Sequence, residues 1–72
     1  MDQLTLRQTL RVGDLLEFEP EQLAGGRAAY LVLSIDGNLV KISTPEGFRM
    51  LPLYSLAECA HEGRLRRNGS PI

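Results

Sequence analysis

The stretch from Tyr30 to Ser43, Tyr-Leu-Val-Leu-Ser-Ile-Asp-Gly-Asn-Leu-Val-Lys-Ile-Ser, decides the fold class of this chain. Residues 30–35 and 39–43 are rich in apolar and β-branched side chains, and Asp36-Gly37-Asn38 separates them. Asp, Gly and Asn tolerate the positive φ angles that tight hairpin turns demand. The stretch therefore predicts a β-hairpin.

Side-chain alternation predicts which face of this hairpin is buried, because successive residues of a strand point to opposite faces. Large aliphatic residues on both strands are expected to face inward: Leu31, Leu33, Ile35, Val40 and Ile42. Tyr30 would then point to the opposite, solvent-facing side. This assignment predicts a half-buried hairpin with Tyr30 available to a partner.

An earlier strand is predicted over residues 15–19, where apolar and charged residues alternate and Leu16 and Phe18 share one face. Pro20 ends this strand because it has no amide hydrogen to donate. Residues 20–27, which include Gly25 and Gly26, are expected to form a loop. The chain therefore alternates strand, loop and hairpin in its first half.

The second half of the chain continues the meander. Thr44-Pro45-Glu46-Gly47 is typical of a turn, and residues 48–53 follow as a further strand with Pro52 at its end. Residues 64–67 are expected to form one last short strand, and residues 68–72 a flexible tail. Residues 1–67 are therefore expected to fold as a single small domain.

Two segments have helical character. Residues 4–10 hold leucines spaced by polar residues, a pattern that fits a short edge strand and a helical turn equally well. Ser55-Leu56-Ala57-Glu58 reads as a capping box, which predicts a helix from Leu56 to about Glu62. Gly63 is the expected residue after the helix C-terminus.

Size and composition exclude several classes of protein. The chain has 72 residues, 43% hydrophobic and 24% charged, with a net charge of -1. A chain this short buries only about 60% of its unfolded surface, which argues against a deep substrate cavity. The near-neutral charge argues against a strongly basic nucleic-acid binder. A mainly β fold is expected: a small curled antiparallel barrel of four to five strands with one short C-terminal helix.

This order of elements resembles the SH3-like small barrels, which include KOW and Tudor modules. The resemblance spans residues 11–58 and is carried by Val12-Gly13-Asp14, Asp36-Gly37-Asn38, Pro45-Glu46-Gly47 and Leu53-Tyr54-Ser55-Leu56. It implies a binding module rather than an enzyme. The chain departs from KOW modules in its acidic first strand and its helix near the C-terminus.

The hairpin over residues 32–42 is similar to the central hairpin of the CsrA-type translational repressors, small dimeric β proteins that bind messenger RNA. Those proteins read RNA with an Arg-rich first strand and an Arg after the last strand. Here only Arg7 lies near the first position, and no Arg follows residues 48–53 until Arg64. This resemblance therefore covers the hairpin alone.

No constellation in the sequence predicts catalysis, a cofactor or a metal site. Cys59 and His61 lie two positions apart on the predicted helix, so their side chains point about 200° apart and do not share a ligand. We therefore expect Cys59 to be a small core residue and His61 a surface residue. No small-molecule substrate is evident.

Charge is distributed unevenly along the chain. Acidic residues dominate the first strand, and they are expected to form a solvated acidic face: Asp14, Glu17, Glu19 and Glu21. Residues 63–72 carry Arg64, Arg66 and Arg67 without an acidic residue. Such a charge distribution contributes to solubility or to the binding of a partner.

The favoured function is a non-enzymatic regulatory or adaptor module that docks on a protein partner, such as a bacterial or phage accessory protein acting on a larger machine. The residues expected to bind are Tyr30, Lys41, Arg49, Tyr54, Arg64, Arg66 and Arg67. The alternative is weak binding of RNA or DNA by the basic C-terminal segment with Lys41 and Arg49. Phe18 and Phe48 are expected in the core.

A third reading is a homodimer through edge strands, which is natural for a thin core. A cytoplasmic location without membrane contact is expected, because the chain has a single cysteine, an N-terminus unlike a signal peptide and no apolar run near 20 residues.

Overall fold

The structure, a computed structural model, describes residues 2–18 and 29–72. Two helices and six strands occur in this part of the chain. In chain order they are α1 (Gln3–Thr9), β1 (Leu15–Phe18), β2 (Ala29–Asp36), β3 (Leu39–Thr44), β4 (Gly47–Pro52), α2 (Leu53–His61), β5 (Leu65–Arg67) and β6 (Ser70–Pro71). The predicted mainly β class is confirmed. The predicted loop over residues 20–27, and Pro20, Glu19 and Glu21, lie outside the described residues.

The strands form one antiparallel sheet in the order β4-β3-β2-β1-β5-β6. The sheet does not close, so β4 and β6 lie at its edges, whereas the sequence predicted a curled barrel of four to five strands. The predicted central hairpin is confirmed: Asp36 pairs with Leu39, and Gly37 has a φ of +60°. A glycine at the first position of a two-residue turn is typical of the type II′ hairpin.

Both helices lie on one side of the sheet, which we call the core face. The residues buried there are almost all aliphatic: Leu6, Leu10, Leu16, Tyr30, Val32, Val40, Ile42, Leu53, Leu56, Ala57, Ala60 and Leu65. Burying one large aliphatic side chain stabilises a fold by about 1.5–3 kcal/mol. We call the opposite side of the sheet the outer face.

The first helix resolves the alternative that the sequence left open for residues 4–10. The Thr5 amide donates to the Asp2 carboxylate over 2.7 Å, which caps α1. Leu6 and Leu10 are both buried, and the Leu10 amide donates to the Leu6 carbonyl. A four-residue spacing places two side chains on one helical face, so helix formation buries both leucines together.

The second helix begins earlier than predicted, at Leu53, and Pro52 is its N-cap residue without a side-chain hydrogen bond. The predicted capping box at Ser55 is therefore wrong. The reason is that β4 ends at Pro52 and the Leu53 amide donates to the Asn38 carbonyl over 2.7 Å, so the helix starts directly at the end of the strand.

The end of α2 is as predicted. Gly63 has a φ of +73° and its amide donates to the Ala60 carbonyl, while the Arg64 amide donates to the Cys59 carbonyl. These two bonds form a Schellman motif, in which a residue with positive φ lets the chain satisfy the last helical carbonyls.

The predicted facing of β2 is wrong at three positions. Leu31 and Leu33 are 38% and 39% exposed, whereas Tyr30 and Val32 are buried. A register irregularity lies between Val32 and Ser34, and it shifts the alternation so that Val32 and Ile35 share the core face. The inward positions predicted for Ile35, Val40 and Ile42 are confirmed. Alternation alone failed because both faces of this strand are apolar.

The C-terminal segment contains a second tight hairpin. The predicted strand near residues 64–67 is present as β5, and β6 pairs with it within the segment expected to be a tail. Asn68 and Gly69 join the two strands with φ angles of +52° and +84°. Asn-Gly is the preferred pair for such a turn. The Ile72 amide donates to the Leu65 carbonyl, and Ile72 packs against the core.

Candidate functional site

Large apolar side chains cover the outer face of strands β1 to β4. They are between 38% and 60% exposed, and we call them the apolar face: Leu15, Leu31, Leu33, Leu39, Phe48 and Met50. The register places them together, since Leu15 lies opposite Leu31, and their neighbours Leu16 and Tyr30 lie opposite one another in the core. Antiparallel partners share a face, so the apolar face continues from strand to strand.

The helices leave the apolar face uncovered within the described part of the chain. Helix α2 packs against β4 and β5, and α1 packs against α2 on the same side. The described elements therefore cover the sheet on one side, and its second side is also apolar. Single exposed apolar residues are normal on a protein surface, whereas a contiguous apolar patch is a candidate interaction site.

Lys41 is the cation within the apolar face. It lies opposite Met50, and its Nζ is 4.1 Å from the centroid of the Phe48 ring. A cation over an exposed aromatic ring contributes about 0.5–1 kcal/mol. The expectation that Phe48 lies in the core is wrong, because its strand is at the sheet edge and its side chain, 60% exposed, is on the uncovered face. Phe18 does pack against the core.

Arg49 lies on the other side of β4, opposite Ile42. Its side chain is exposed at the sheet edge, and no hydrogen bond or ion pair joins it to another residue of the described part. Of the predicted binding residues, Lys41 and Arg49 therefore lie on neighbouring strands but on opposite faces of the sheet.

The two predicted tyrosine anchors lie apart from these residues. Tyr30 is only 9% exposed, and its ring centroid is 5.9 Å from that of Phe18 in a tilted arrangement. The prediction that Tyr30 points to solvent is therefore wrong, because the phase of β2 places it in the core. Tyr54 is 59% exposed in the first turn of α2, on the helical side of the molecule.

The expectation that Asp14 is solvated is wrong. Its side chain accepts hydrogen bonds from Arg67 Nε over 2.7 Å, from the Arg11 amide over 2.8 Å and from Asn68 Nδ2 over 3.2 Å. Burial raises the pKa of Asp14, but these bonds and the Arg67 charge outweigh burial and lower the pKa overall. We call these four residues the Asp14 cluster. It joins the start of β1 to the β5–β6 turn.

The three C-terminal arginines lie beside acidic residues of the same chain. Arg67 is paired with Asp14, and Arg64 forms a 2.7 Å ion pair with Glu62. Arg66 lies opposite Glu17 in the β1–β5 register. The acidic first strand and the basic C-terminal segment are therefore neighbours in the sheet.

The predicted basic residues do not form one patch. Strands β1 and β2 lie between β5, which carries Arg66 and Arg67, and β3, which carries Lys41. Three strand spacings correspond to about 14 Å. A phosphate backbone would have to cross the apolar face to contact both groups.

The remaining polar residues of the described part supply no further site. Cys59 is free and partly buried against the core, and His61 is exposed. No group of three or more metal-ligating side chains occurs in residues 2–18 and 29–72. An open depression near the start of α1 includes Asp2, whose carboxylate already caps that helix. Neither described helix is long and apolar enough to span a membrane.

Comparisons with protein-family models, curated proteins and solved structures found no match to this chain.

The sequence does contain a signal for the apolar face. Residues 30–33 are apolar without interruption, so either phase of the strand leaves two large apolar residues on the face away from the core. Leu31 and Leu33 are those residues.

Proposed function

We propose that this chain is a non-enzymatic adaptor module that binds another protein through its apolar face. The observation that carries the proposal is the one-sided covering of the sheet. Six large apolar side chains remain exposed on its outer face, and the helices of residues 2–18 and 29–72 pack on the core face. Their burial against a partner would remove apolar surface from water, which is the main driving force of protein association.

The dimensions support an interface of ordinary size. A standard protein–protein interface buries about 800 Å² on each partner. The molecule measures 33 × 25 × 17 Å, and its two longer dimensions are on the scale of such a contact. Phe48 is the exposed aromatic residue of this face, and aromatic residues are enriched among those that dominate binding energy.

Binding of RNA or DNA by residues 64–67 has less support. Arg64 and Arg67 form ion pairs with acidic residues, and Arg66 lies opposite Glu17. Phosphate contacts would have to replace these interactions.

The free thiol of Cys59 suits a reducing, cytoplasmic setting for the proposed adaptor. An SH3-like relationship and a bacterial or phage origin stay predictions.

The proposal is tested by capturing partners on the immobilised chain and then measuring Kd with the purified candidate by calorimetry. The test variant is the double substitution Leu33→Ser and Phe48→Ser. The control is Tyr54→Ser, which removes an equally exposed aromatic side chain on the helical side. We expect at least tenfold weaker binding for the double variant and unchanged binding for the control.

Two results would contradict the proposal. One is a partner that binds the double variant and the original chain equally, with both proteins shown to be folded by thermal unfolding. The other is an NMR titration with pooled RNA and DNA at low salt in which the amides of residues 64–67 shift and fade with added salt, while the apolar face is unaffected.

A further inference from the structure

We propose that the edge of β4, which no other described strand pairs with, binds an extended segment of a partner protein as an added antiparallel strand. The segment would carry an acidic residue opposite Arg49, flanked by two apolar residues opposite Phe48 and Met50. This inference rests on the proposed function, since it specifies the kind of protein segment that the apolar face receives.

The first step is the hydrogen-bond phase of β4. The Leu53 amide donates to the Asn38 carbonyl, and these residues lie just beyond the opposed pair Leu39 and Pro52. Opposed pairs in an antiparallel ladder alternate between pairs that exchange main-chain hydrogen bonds and pairs that do not. Because Asn38 and Leu53 are hydrogen-bonded, the adjacent pair Leu39 and Pro52 is one that does not exchange hydrogen bonds. The remaining pairs along β4 then alternate from this one.

The second step follows from that alternation. Leu51 and Arg49 lie in pairs whose main-chain groups bond to β3. The amide and carbonyl groups of Phe48 and Met50 therefore point away from β3. Because β4 is an edge strand of the sheet, these groups face the position that a further strand would occupy.

The third step concerns the side chains at this edge. Phe48 and Met50 belong to the apolar face, and both are exposed. A strand added beside β4 would place alternate side chains on the same face, next to these two residues. The main-chain bonds and the apolar contacts would therefore involve the same two residues, as in strand addition to peptide-binding domains.

The fourth step is the charge of the intervening residue. The Arg49 side chain is exposed and has no hydrogen-bond or ion-pair partner in the described part of the chain. The residue facing it across the new ladder would form a close pair, with Cα atoms about 4.5 Å apart. Opposite charges at such a position stabilise the pairing and like charges destabilise it. An acidic residue therefore fits.

The same geometry disfavours a second copy as the occupant. When Phe48 pairs with Met50 of a second copy, the two-fold axis places Arg49 opposite Arg49 of that copy. Like charges then meet in the close pair. A register shifted towards Pro52 loses a hydrogen bond, because proline has no amide hydrogen. Arg49 thus opposes self-pairing of β4 in the register that uses the outward groups of both Phe48 and Met50, and it favours an acidic partner.

The charge requirement is tested with two synthetic peptides. The first is Val-Ser-Val-Glu-Val-Ser-Val with blocked ends, and the second has Lys in place of Glu. NMR titration of the full chain gives Kd for each. We expect the Glu peptide to bind about fivefold more tightly than the Lys peptide, and Arg49→Glu to reverse this preference.

The main-chain requirement is tested by hydrogen exchange and proline substitution. We expect the Phe48 and Met50 amides to exchange more slowly when the Glu peptide is bound, with little change at Arg49, whose amide already bonds to β3. Met50→Pro removes one outward amide and should lose at least tenfold in affinity. Met50→Ala keeps the amide and is the matched control, with NMR spectra confirming that both variants fold.

Other outcomes would overturn the inference. If binding shifts the Leu31 and Leu33 amides but leaves exchange at Phe48 and Met50 unchanged, the face binds proteins without strand addition, and the proposed function survives alone. A doubled mass in light scattering that Met50→Pro abolishes would identify a second copy as the occupant. Absence of peptide binding overturns the edge inference, and the capture experiment above then decides the proposed function separately.

Discussion

The two halves of the sheet use their charged and apolar residues differently. In the half formed by β1 and β5, Asp14 bonds to Arg67 and Asn68, and Glu17 lies opposite Arg66. In the half formed by β3 and β4, Arg49 has no described partner and large apolar residues are exposed. The first half therefore pairs its charged residues within the fold, and the second is the half that we propose binds a partner.

The largest expected effect on the free energy of unfolding is found when a core-face residue is compared with an outer-face residue on the neighbouring strand. Leu16 is fully buried, while Leu31, on the neighbouring strand, is 38% exposed. We expect Leu16→Ala to lower the free energy of unfolding by about 2–5 kcal/mol, because it leaves a cavity, and Leu31→Ala by less than about 1 kcal/mol. Urea denaturation of both variants checks this. Equal losses would show that the apolar face contributes to stability as the core does.

The second prediction compares the charged groups of the two halves. Asp14→Asn weakens three hydrogen bonds and leaves the part-buried Arg67 without its counter-charge, so we expect a loss of about 1–3 kcal/mol. Arg49→Gln should change the free energy of unfolding by less than about 0.5 kcal/mol. Chemical denaturation at neutral pH measures both. A larger effect at Arg49 would place a structural interaction in the half assigned to binding.

The third prediction concerns acid stability. The folded-state pKa of Asp14 is lowered from its ordinary value of 3.8, so its ionised form is favoured in the fold. Its contribution is therefore present above that pH and lost as the pH falls through the lower, folded-state pKa. Denaturation midpoints measured from pH 6 to pH 2 should fall less steeply for Asp14→Asn than for the original chain. Parallel curves would contradict the role assigned to the Asp14 cluster.

The smallest expected effect on the free energy of unfolding comes from the contact between Lys41 and Phe48 on the apolar face. Lys41→Gln removes the cation from the Phe48 ring and should cost about 0.5 kcal/mol. A double-mutant cycle with Phe48→Leu isolates this pair, because the loss at Lys41 should disappear when the ring is absent. An undiminished loss would indicate that Lys41 contributes through another contact.

Local sequence signals predicted several elements well. The turn near Gly37 and the helix end at Gly63 both depend on residues that tolerate positive φ, so neighbouring residues suffice to predict them. The Asn68-Gly69 turn carries an equally local signal, although the segment was expected to be a tail. The start of α2 was missed because a tertiary bond from the Leu53 amide to Asn38 competes with the capping box at Ser55.

The candidate site was harder to predict. Lys41 and Arg49 were expected on the surface and are exposed in part or in full, whereas Tyr30 is buried and Phe48 is exposed. Alternation along a strand allows two assignments of its residues to the core face and the outer face. The irregularity between Val32 and Ser34 changes this assignment within one strand. Which side receives the helices therefore decides which apolar residues remain outside.

By itself, the sequence determined that this chain is mainly β, that its centre is a tight hairpin and that both faces of that hairpin are apolar. Those properties depend on residue type and on neighbours a few positions away. Only the tertiary structure decided that Asp14 meets Arg67, 53 positions later, and that β4 is an edge strand whose Arg49 side chain has no partner among the described residues. Strand order brings distant residues together, and no local pattern encodes which strands become neighbours.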